Sequence, residues 1–370
     1  MTEHAKLSAS GAHRWMSCPG SVKAEENIPH QTNKYADEGT LAHELAAMRL
    51  ENIFSKRENF RYRVSEEMKL AVDQYIGYIE NIRTLRGLYP DRDIKDSILI
   101  EEKVDFSEVV PEGFGTADCL ISVEGTLYVV DFKYGLNPVY AQDNLQLLLY
   151  AIGALNRDSS SDHFYTGNVD TISMHIVQPR ANNFSTWELT INELYSYYKY
   201  INYKALEALK DDAPRIPSKE ACMWCKARFT CYALKNTTKK VNSLIDKQDL
   251  TDNDIRYILD NAGLVRSFIS SIEDKVYEQL NNGINFDGYK LVEGRSVRKL
   301  KQDAQEKLVA LLGEKAYSKS IINITELDKL LTKDEVNSLV YLSKGKPRLV
   351  KESDKRNSVI PDSLISEITD

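Results

Sequence analysis

GTADCLISVEGTLYVVDFK, residues Gly115–Lys133, decides how this sequence folds. Two runs rich in β-branched and aromatic residues, Ala117–Val123 and Thr126–Phe132, flank Glu124-Gly125, a pair suited to a two-residue hairpin turn. Such a hairpin puts Asp118 and Asp131 on adjacent strands on either side of the turn, so both carboxylates reach one end of a sheet. Asp131 and Lys133 are two apart and share a face. Hard oxygen ligands in this arrangement suit Mg²⁺ or Mn²⁺. An ammonium beside them suits phosphodiester hydrolysis, where a metal activates water and positive charge stabilises the developing anion. Alone, Asp-x-Lys at a strand end is commonly no more than a surface ion pair.

Working outward, Ser97–Val104 reads as a third strand, and two helices precede it over Ala36–Phe54 and about Ser65–Leu88. Leu41, Leu45, Met48 and Leu50 set the period of the first helix, which carries His43 and Glu44. Ser8–Gly20 reads as a short helix capped by Ser10 and stopped at Cys18-Pro19-Gly20. Downstream, Ala141–Asn156 is an amphipathic helix on which Gln146 and Tyr150 lie four apart and face one way. Strands follow at Thr171–Val177 and Phe184–Leu189, then a helix over Ile191–Leu209 whose five tyrosines (195, 197, 198, 200 and 203) are expected in the core. Glu101 and Glu102, just ahead of the hairpin, are either further ligands or ordinary strand-end acids.

After Lys240 the chain turns to short charged helical segments: Asp252–Asn261, Leu264–Asn281, Asp303–Leu312 and Thr332–Leu342. One small β element is expected at Gly288–Arg298, and Val350–Asp370 reads as a loosely held polar tail. A cut near Val241 divides the chain into residues 1–240 and a mainly helical accessory domain, 241–370.

Five cysteines in a leaderless chain point to metal or redox chemistry more than to disulfides. Cys222, Cys225 and Cys231 form C-x₂-C-x₅-C, and Cys18 is a fourth thiolate from the far N-terminus. Four thiolates hold either zinc or an iron–sulfur cluster. Cys119, next to Asp118 on its strand, is expected on the opposite face as a small buried hydrophobe.

Taken in order, the helical His43, the Gly115–Asp118 G-x-x-D, the Asp131–Lys133 D-x-K and the Gln146–Tyr150 Q-x-x-x-Y resemble the RecB-like branch of the PD-(D/E)XK nucleases. The resemblance implies an α/β fold: a restriction-endonuclease-like core with a mixed central sheet flanked by helices, an iron–sulfur-stapled helical region and a mainly helical C-terminal extension. It implies that His43, Asp118, Asp131 and the Phe132 carbonyl ligate Mg²⁺ or Mn²⁺. Lys133 would orient or activate the water, and Gln146 and Tyr150 would steady the phosphate backbone. AddB-type and CRISPR-associated members carry one cysteine before the core and C-x₂-C-x₅-C after it. By that likeness Cys18, Cys222, Cys225 and Cys231 would bind [4Fe–4S], with zinc the alternative.

The implied function is a metal-dependent DNA exonuclease in phage or prophage recombination or replication, with a single-strand annealing protein as a candidate partner. The alternative is a non-catalytic DNA-binding or adaptor protein on a nuclease fold, or one that senses redox state through its cluster.

The composition is compatible with this. Of 370 residues, 42% are hydrophobic and 28% charged, which excludes a disordered, collagen-like or disulfide-scaffold chain. No stretch approaches the roughly 20 apolar residues of a membrane span, and no signal peptide is legible, so a cytoplasmic location without a membrane partner is expected. A net charge of −7 argues against a protein that coats nucleic acid, yet Lys219–Lys240 holds six basic residues against one acid, and Lys344–Arg356 six against two. No G-x-x-x-x-G-K-[ST] is present, so no nucleoside triphosphate is expected as a ligand.

Overall fold

The protein is described here from a computed structural model covering residues 5–28, 34–55, 64–85, 97–157, 168–300, 304–316, 327, 330–351 and 354–359. It forms two compact units, Met1–Ser267 and Phe268–Asp370.

The first unit is a five-stranded mixed sheet with helices on both faces. Strands β1 (Ile98–Asp105), β2 (Phe114–Val123), β3 (Thr126–Phe132), β4 (Thr171–Gln178) and β5 (Asn183–Thr190) lie in the order 1-2-3-4-5. All neighbours are antiparallel except β3 and β4. A parallel pair needs a crossover, and helix α5 (Leu145–Leu155) supplies it. The β2–β3 turn is of the expected kind: Glu124 and Gly125 both have positive φ, 49° and 76°, matching the twist of the flanking strands. Strand β3 is buried along almost its whole length because both faces are covered.

One face packs on α1 (Ala12–Ser17), α5 and α6 (Ile191–Ala208) through Trp15, Leu120, Val129, Leu148, Ile176 and Ile201. The other packs on α3 (Lys34–Ser55) and α4 (Glu66–Leu85) through Leu45, Val72, Tyr75, Ile121, Val130 and Phe132. A short helix α2 (Ser21–Glu25) follows α1. The cysteine motif lies on α7 (Lys219–Met223) and the loop leading into α8 (Tyr232–Ile245).

Several expectations are corrected. Ser10 does not cap α1: the N-cap is Gly11, whose amide donates to Ser8 Oγ at 3.2 Å. Helix α5 begins at Leu145, not Ala141, because the Asn144 side chain accepts from Gln146 N and Leu147 N and starts the helix there. Ala141 N donates instead to Ser185 Oγ at 3.0 Å, and the loop ahead of it, residues 135–139, is fixed by the fully buried Gln178. Its Nε2 donates to the carbonyls of Gly135 and Asn137, while Oε1 accepts from Val139 N and Asn183 Nδ2. The tyrosines of α6 divide: Tyr197 and Tyr198 pack on the core, whereas Tyr195, Tyr200 and Tyr203 are exposed, since a helix on a sheet buries only one stripe.

The segments expected at Asp252–Asn261 and Leu264–Asn281 are one helix, α9 (Asp252–Asn281). The unit boundary falls inside α9, at Ser267/Phe268, rather than near Val241. The first half of α9 is tied to the first unit. Lys240 Nζ sits 4.1 Å from the centre of the Tyr257 ring, and Ser267 Oγ donates to Cys222 O at 3.5 Å.

In the second unit, β6 (Tyr289–Leu300) pairs antiparallel with β7 (Val340–Lys351), each of twelve residues. Strand β7 takes up the end of the helix expected to Leu342 and the start of the tail expected from Val350. Gly345 and Pro347 mask its periodicity, and it is β6 that gives it hydrogen-bonding partners. The helix Lys333–Leu339 ends where β7 begins, and Leu308, Leu327, Val336 and Leu339 form the local core. Part of the expected tail is held as well, since Val359 N donates to Leu291 O at 2.9 Å. Leu88, Asp303, residues 352 and 353 of the second basic run, and the tail beyond Val359 lie outside the described residues. Among the described residues no helix is long and apolar enough to cross a membrane.

Candidate active site

The β2–β3 ladder runs from Val123↔Thr126 to Cys119↔Val130. One residue further, the Asp118 carboxylate enters: Phe132 N donates to Asp118 Oδ2 at 2.7 Å. Asp118 Oδ1 lies 3.2 Å from Nδ1 of His43, delivered by α3. The His43 ring tilts against Phe132, centroids 5.3 Å apart, and Tyr75 of α4 stacks on the other part of Phe132 at 4.7 Å. Phe132 thus holds α3 and α4 to the strand that carries Asp131.

Across β1 the register passes from Ile100↔Cys119 to Glu102↔Ala117, and the residue between, Glu101, has φ +49°. This left-handed residue opposite Asp118 brings its carboxylate in: one ligand atom each from His43, Glu101 and Asp118 lies within 4.8 Å of the others. Glu102 goes elsewhere, pairing with Arg157. Cys119 is fully buried in the α3–α4 cluster, a small hydrophobe as expected. The expected opposition of faces fails, because Asp118 also reaches α3 where β2 departs from regular pairing.

Asp131 is buried, and Lys133 Nζ lies 2.8 Å from its Oδ2. The same ammonium donates to Gln146 Oε1 at 2.9 Å, and Gln146 Nε2 donates to Tyr150 Oη at 3.0 Å. Asp131, Lys133, Gln146 and Tyr150 therefore form one polar line from β3 to α5. Gly115 completes it: a Cβ there would stand 2.9 Å from Cε1 of Tyr150, so the ring edge occupies the space that a side chain would need.

The electrostatics are those of crowded acids. Burial, with Asp118 adding to it, pushes Asp131 up to about 6 against the pull of Lys133. Burial and the same neighbour push Glu101 up to about 7, although much of the residue is exposed. Burial also acts to raise Asp118, but His43 and Lys133 outweigh it and hold it low. His43 is disfavoured as a cation by burial, yet the Asp118 carboxylate brings it up to about 9. Tyr75 Oη is buried with no hydrogen-bond partner among the described residues. Two carboxylates and an imidazole within reach of one point, a third buried acid and an unpaired hydroxyl make a donor set that fits a divalent cation.

Cys18, Cys222, Cys225 and Cys231 line a single pocket, with Arg215 and Arg228 on its wall. Cys18 ends α1, Ile216 N donates to its Sγ at 3.2 Å, and Gly20 N donates to Pro214 O at 2.9 Å. Burial pushes the Cys222 thiol up to about 11 and that of Cys225 up to about 12. No three of these sulfurs come within 4.8 Å of one another, the His43 group being the one set of that compactness among the described residues.

Residues 4–357 match a family model described as "Protein of unknown function (DUF2800)". The chain belongs to the DUF2800 family. In this DUF2800 chain, Asp118, Asp131, Lys133, Gln146, Tyr150, His43 and Phe132 meet at one end of the sheet, and the four cysteines meet at one pocket. Sequence reasoning left Glu101 undecided and missed Tyr75 and Gln178. Glu101 enters through a backbone conformation that no spacing announces. Tyr75 lies in an ordinary apolar helix stripe, and Gln178 had only its place at a strand end to mark it.

Proposed function

We propose that this DUF2800 protein is a metal-dependent deoxyribonuclease of the RecB-like PD-(D/E)XK kind. In this reading it hydrolyses linear DNA from an end, in phage or prophage recombination or replication. The observation that carries the reading is the placement of Lys133, shared between Asp131 and Gln146 and next to the His43–Asp118–Glu101 group. A structural ion pair has no need of a second line of polar groups from a facing helix, nor of three acids crowded against an imidazole.

Within that reading His43, Asp118, Asp131 and the Phe132 carbonyl hold the cation, and Glu101 is close enough to join them. A bound Mg²⁺ or Mn²⁺ supplies Lewis acidity, neutralising phosphate charge and making water a better nucleophile. Lys133 presents an ammonium to the phosphate and orients the attacking water. Gln146 holds Lys133 in place, and Tyr150 holds Gln146, so helix α5 aims the lysine and lies along the DNA backbone. Fixed donors of this kind are already oriented when charge develops.

The pocket of four cysteines offers four thiolates to a [4Fe–4S] cluster, the group that the likeness to AddB-type nucleases favours, with zinc the alternative. The cluster would tie α1 to the end of the first unit.

The test is cleavage of end-labelled linear and closed circular DNA by anaerobically purified protein in Mg²⁺ or Mn²⁺, beside Lys133→Ala. Loss of the linear substrate alone, slowed about 10³-fold or more in the variant with binding retained, is the expected result. Cutting of the circle would make it an endonuclease. Inertness of cluster-replete wild type toward both substrates would sink the enzymatic reading.

A further inference from the structure

The loop that carries three of the cysteines also exposes large apolar side chains to water. Trp224 is 67% exposed, Tyr232 57%, Met223 40% and Phe229 38%, all within ten residues of chain. A scattered exposed leucine is ordinary, but a cluster that includes a tryptophan marks a contact surface. Two of these rings already carry a cation: the Arg215 guanidinium lies 5.0 Å from the centre of Tyr232, and Lys235 Nζ 5.6 Å from that of Phe229. Arg228 NH1 donates to Met223 O at 2.8 Å, which holds a second guanidinium at the backbone of the same loop. Lys219–Lys240 holds six basic residues against one acid, in a chain whose net charge is −7.

We propose that this loop is a binding site for single-stranded nucleic acid. Unpaired bases stack on Trp224 and Tyr232, and the phosphates between them meet Arg215, Arg228 and Lys235. Stacking needs an open π-face and is indifferent to base identity, and flanking cations track the backbone. A duplex keeps its base faces covered and cannot use the rings. The charge favours a polyanion: the stretch that carries these rings holds six basic residues against one acid in a chain whose net charge is −7. The site is separate from the one at Lys133 and needs no divalent cation, so it stands or falls independently of the proposed nuclease activity.

The experiment is fluorescence anisotropy of a labelled twenty-nucleotide thymidine homopolymer, and of its duplex with the adenosine strand, with the full chain in EDTA. Wild type, Trp224→Ala, Trp224→Phe and Lys235→Ala are compared at several salt concentrations, with thermal melting as a check on folding. The single strand is expected to bind more tightly than the duplex. Trp224→Ala should weaken its binding about tenfold without changing the salt slope, and Trp224→Phe should restore most of it. Lys235→Ala should lower the salt slope by about 0.7. Equal binding by wild type and Trp224→Ala overturns the proposal. So does a wild type that binds neither probe, which would leave the rings as a surface for another protein.

Discussion

Gly115 is bare because Tyr150 needs the space above it, and that contact explains why the first glycine of G-x-x-D belongs to the site at all. The glycine chooses where a ring sits, the ring fixes Gln146, and Gln146 holds the lysine. Gly115→Ala should therefore act at a distance. Its methyl displaces the Tyr150 ring, costing about 1–3 kcal/mol of stability. If DNA cleavage is the activity, its rate should fall about 100-fold through a misplaced Lys133. Melting temperature and cleavage rate measured together would check this, and an unaltered rate would show that Tyr150 does not position the lysine. At this scale the site was largely legible. D-x-K and Q-x-x-x-Y have spacings that strand and helix periods turn into shared faces. Glu101 was not legible, because its approach depends on a left-handed φ rather than on any period.

On the α4 side of the sheet, elements are joined by a polar chain centred on the buried Ser173 and His175. Tyr78 Oη of α4 and His175 Nδ1 of β4 are 2.9 Å apart, Nε2 of His175 is 2.9 Å from Ser173 Oγ, and that hydroxyl donates to Glu188 of β5 at 3.0 Å. The Tyr128 ring of β3 stacks against the imidazole at 5.7 Å. Burial outweighs the nearby Glu188 carboxylate and lowers the histidine to about 4. In the unfolded chain an ordinary histidine titrates near 6.5. The unfolded state thus takes up the proton first, so the contribution is complete above about 6.5 and is lost as pH falls toward 4. Between pH 7 and pH 5 it amounts to about 2 kcal/mol. Denaturant unfolding at the two pH values should show that loss in wild type and a smaller one in His175→Gln; equal losses would refute the assignment. Five of the strands and the helices between them were legible as elements, since each has its own hydrophobic period. Strand β7 was not, because a half-polar ribbon edge is defined by its partner β6.

For the molecule as a whole, the deciding feature is a closure between its beginning and residues far along the chain. Cys18, at the end of α1, faces Cys222, Cys225 and Cys231 across one pocket, and α1 also supplies Trp15 to the core under α5. If the pocket holds the proposed iron–sulfur cluster, Cys18→Ser should lower the iron and acid-labile sulfide of anaerobically purified protein. It should also destabilise the first unit by about 3 kcal/mol, since a link over so long a loop restricts the unfolded chain strongly. Metal analysis and thermal melting would test both. Full iron content with an unchanged melting point would remove Cys18 from the site. The C-x₂-C-x₅-C spacing made the trio legible, whereas Cys18 joined it as a fourth thiolate with no spacing to place it, and the unit boundary was hidden inside the continuous helix α9.

That closure also sets a timetable for synthesis. The amide that meets the Cys18 sulfur belongs to Ile216, 198 residues later. At ribosomal speeds of about 5–20 residues per second, the N-terminal segment waits about 10–40 s for its partner. By the end of that interval Asp118, Asp131, Lys133 and α5 have been made, while the cysteine pocket beneath α1 still lacks three of its four thiols. The last cysteine to emerge completes the pocket, and a chain cut short before it carries Asp118, Asp131, Lys133 and α5 without the closure between Cys18 and the C-x₂-C-x₅-C loop.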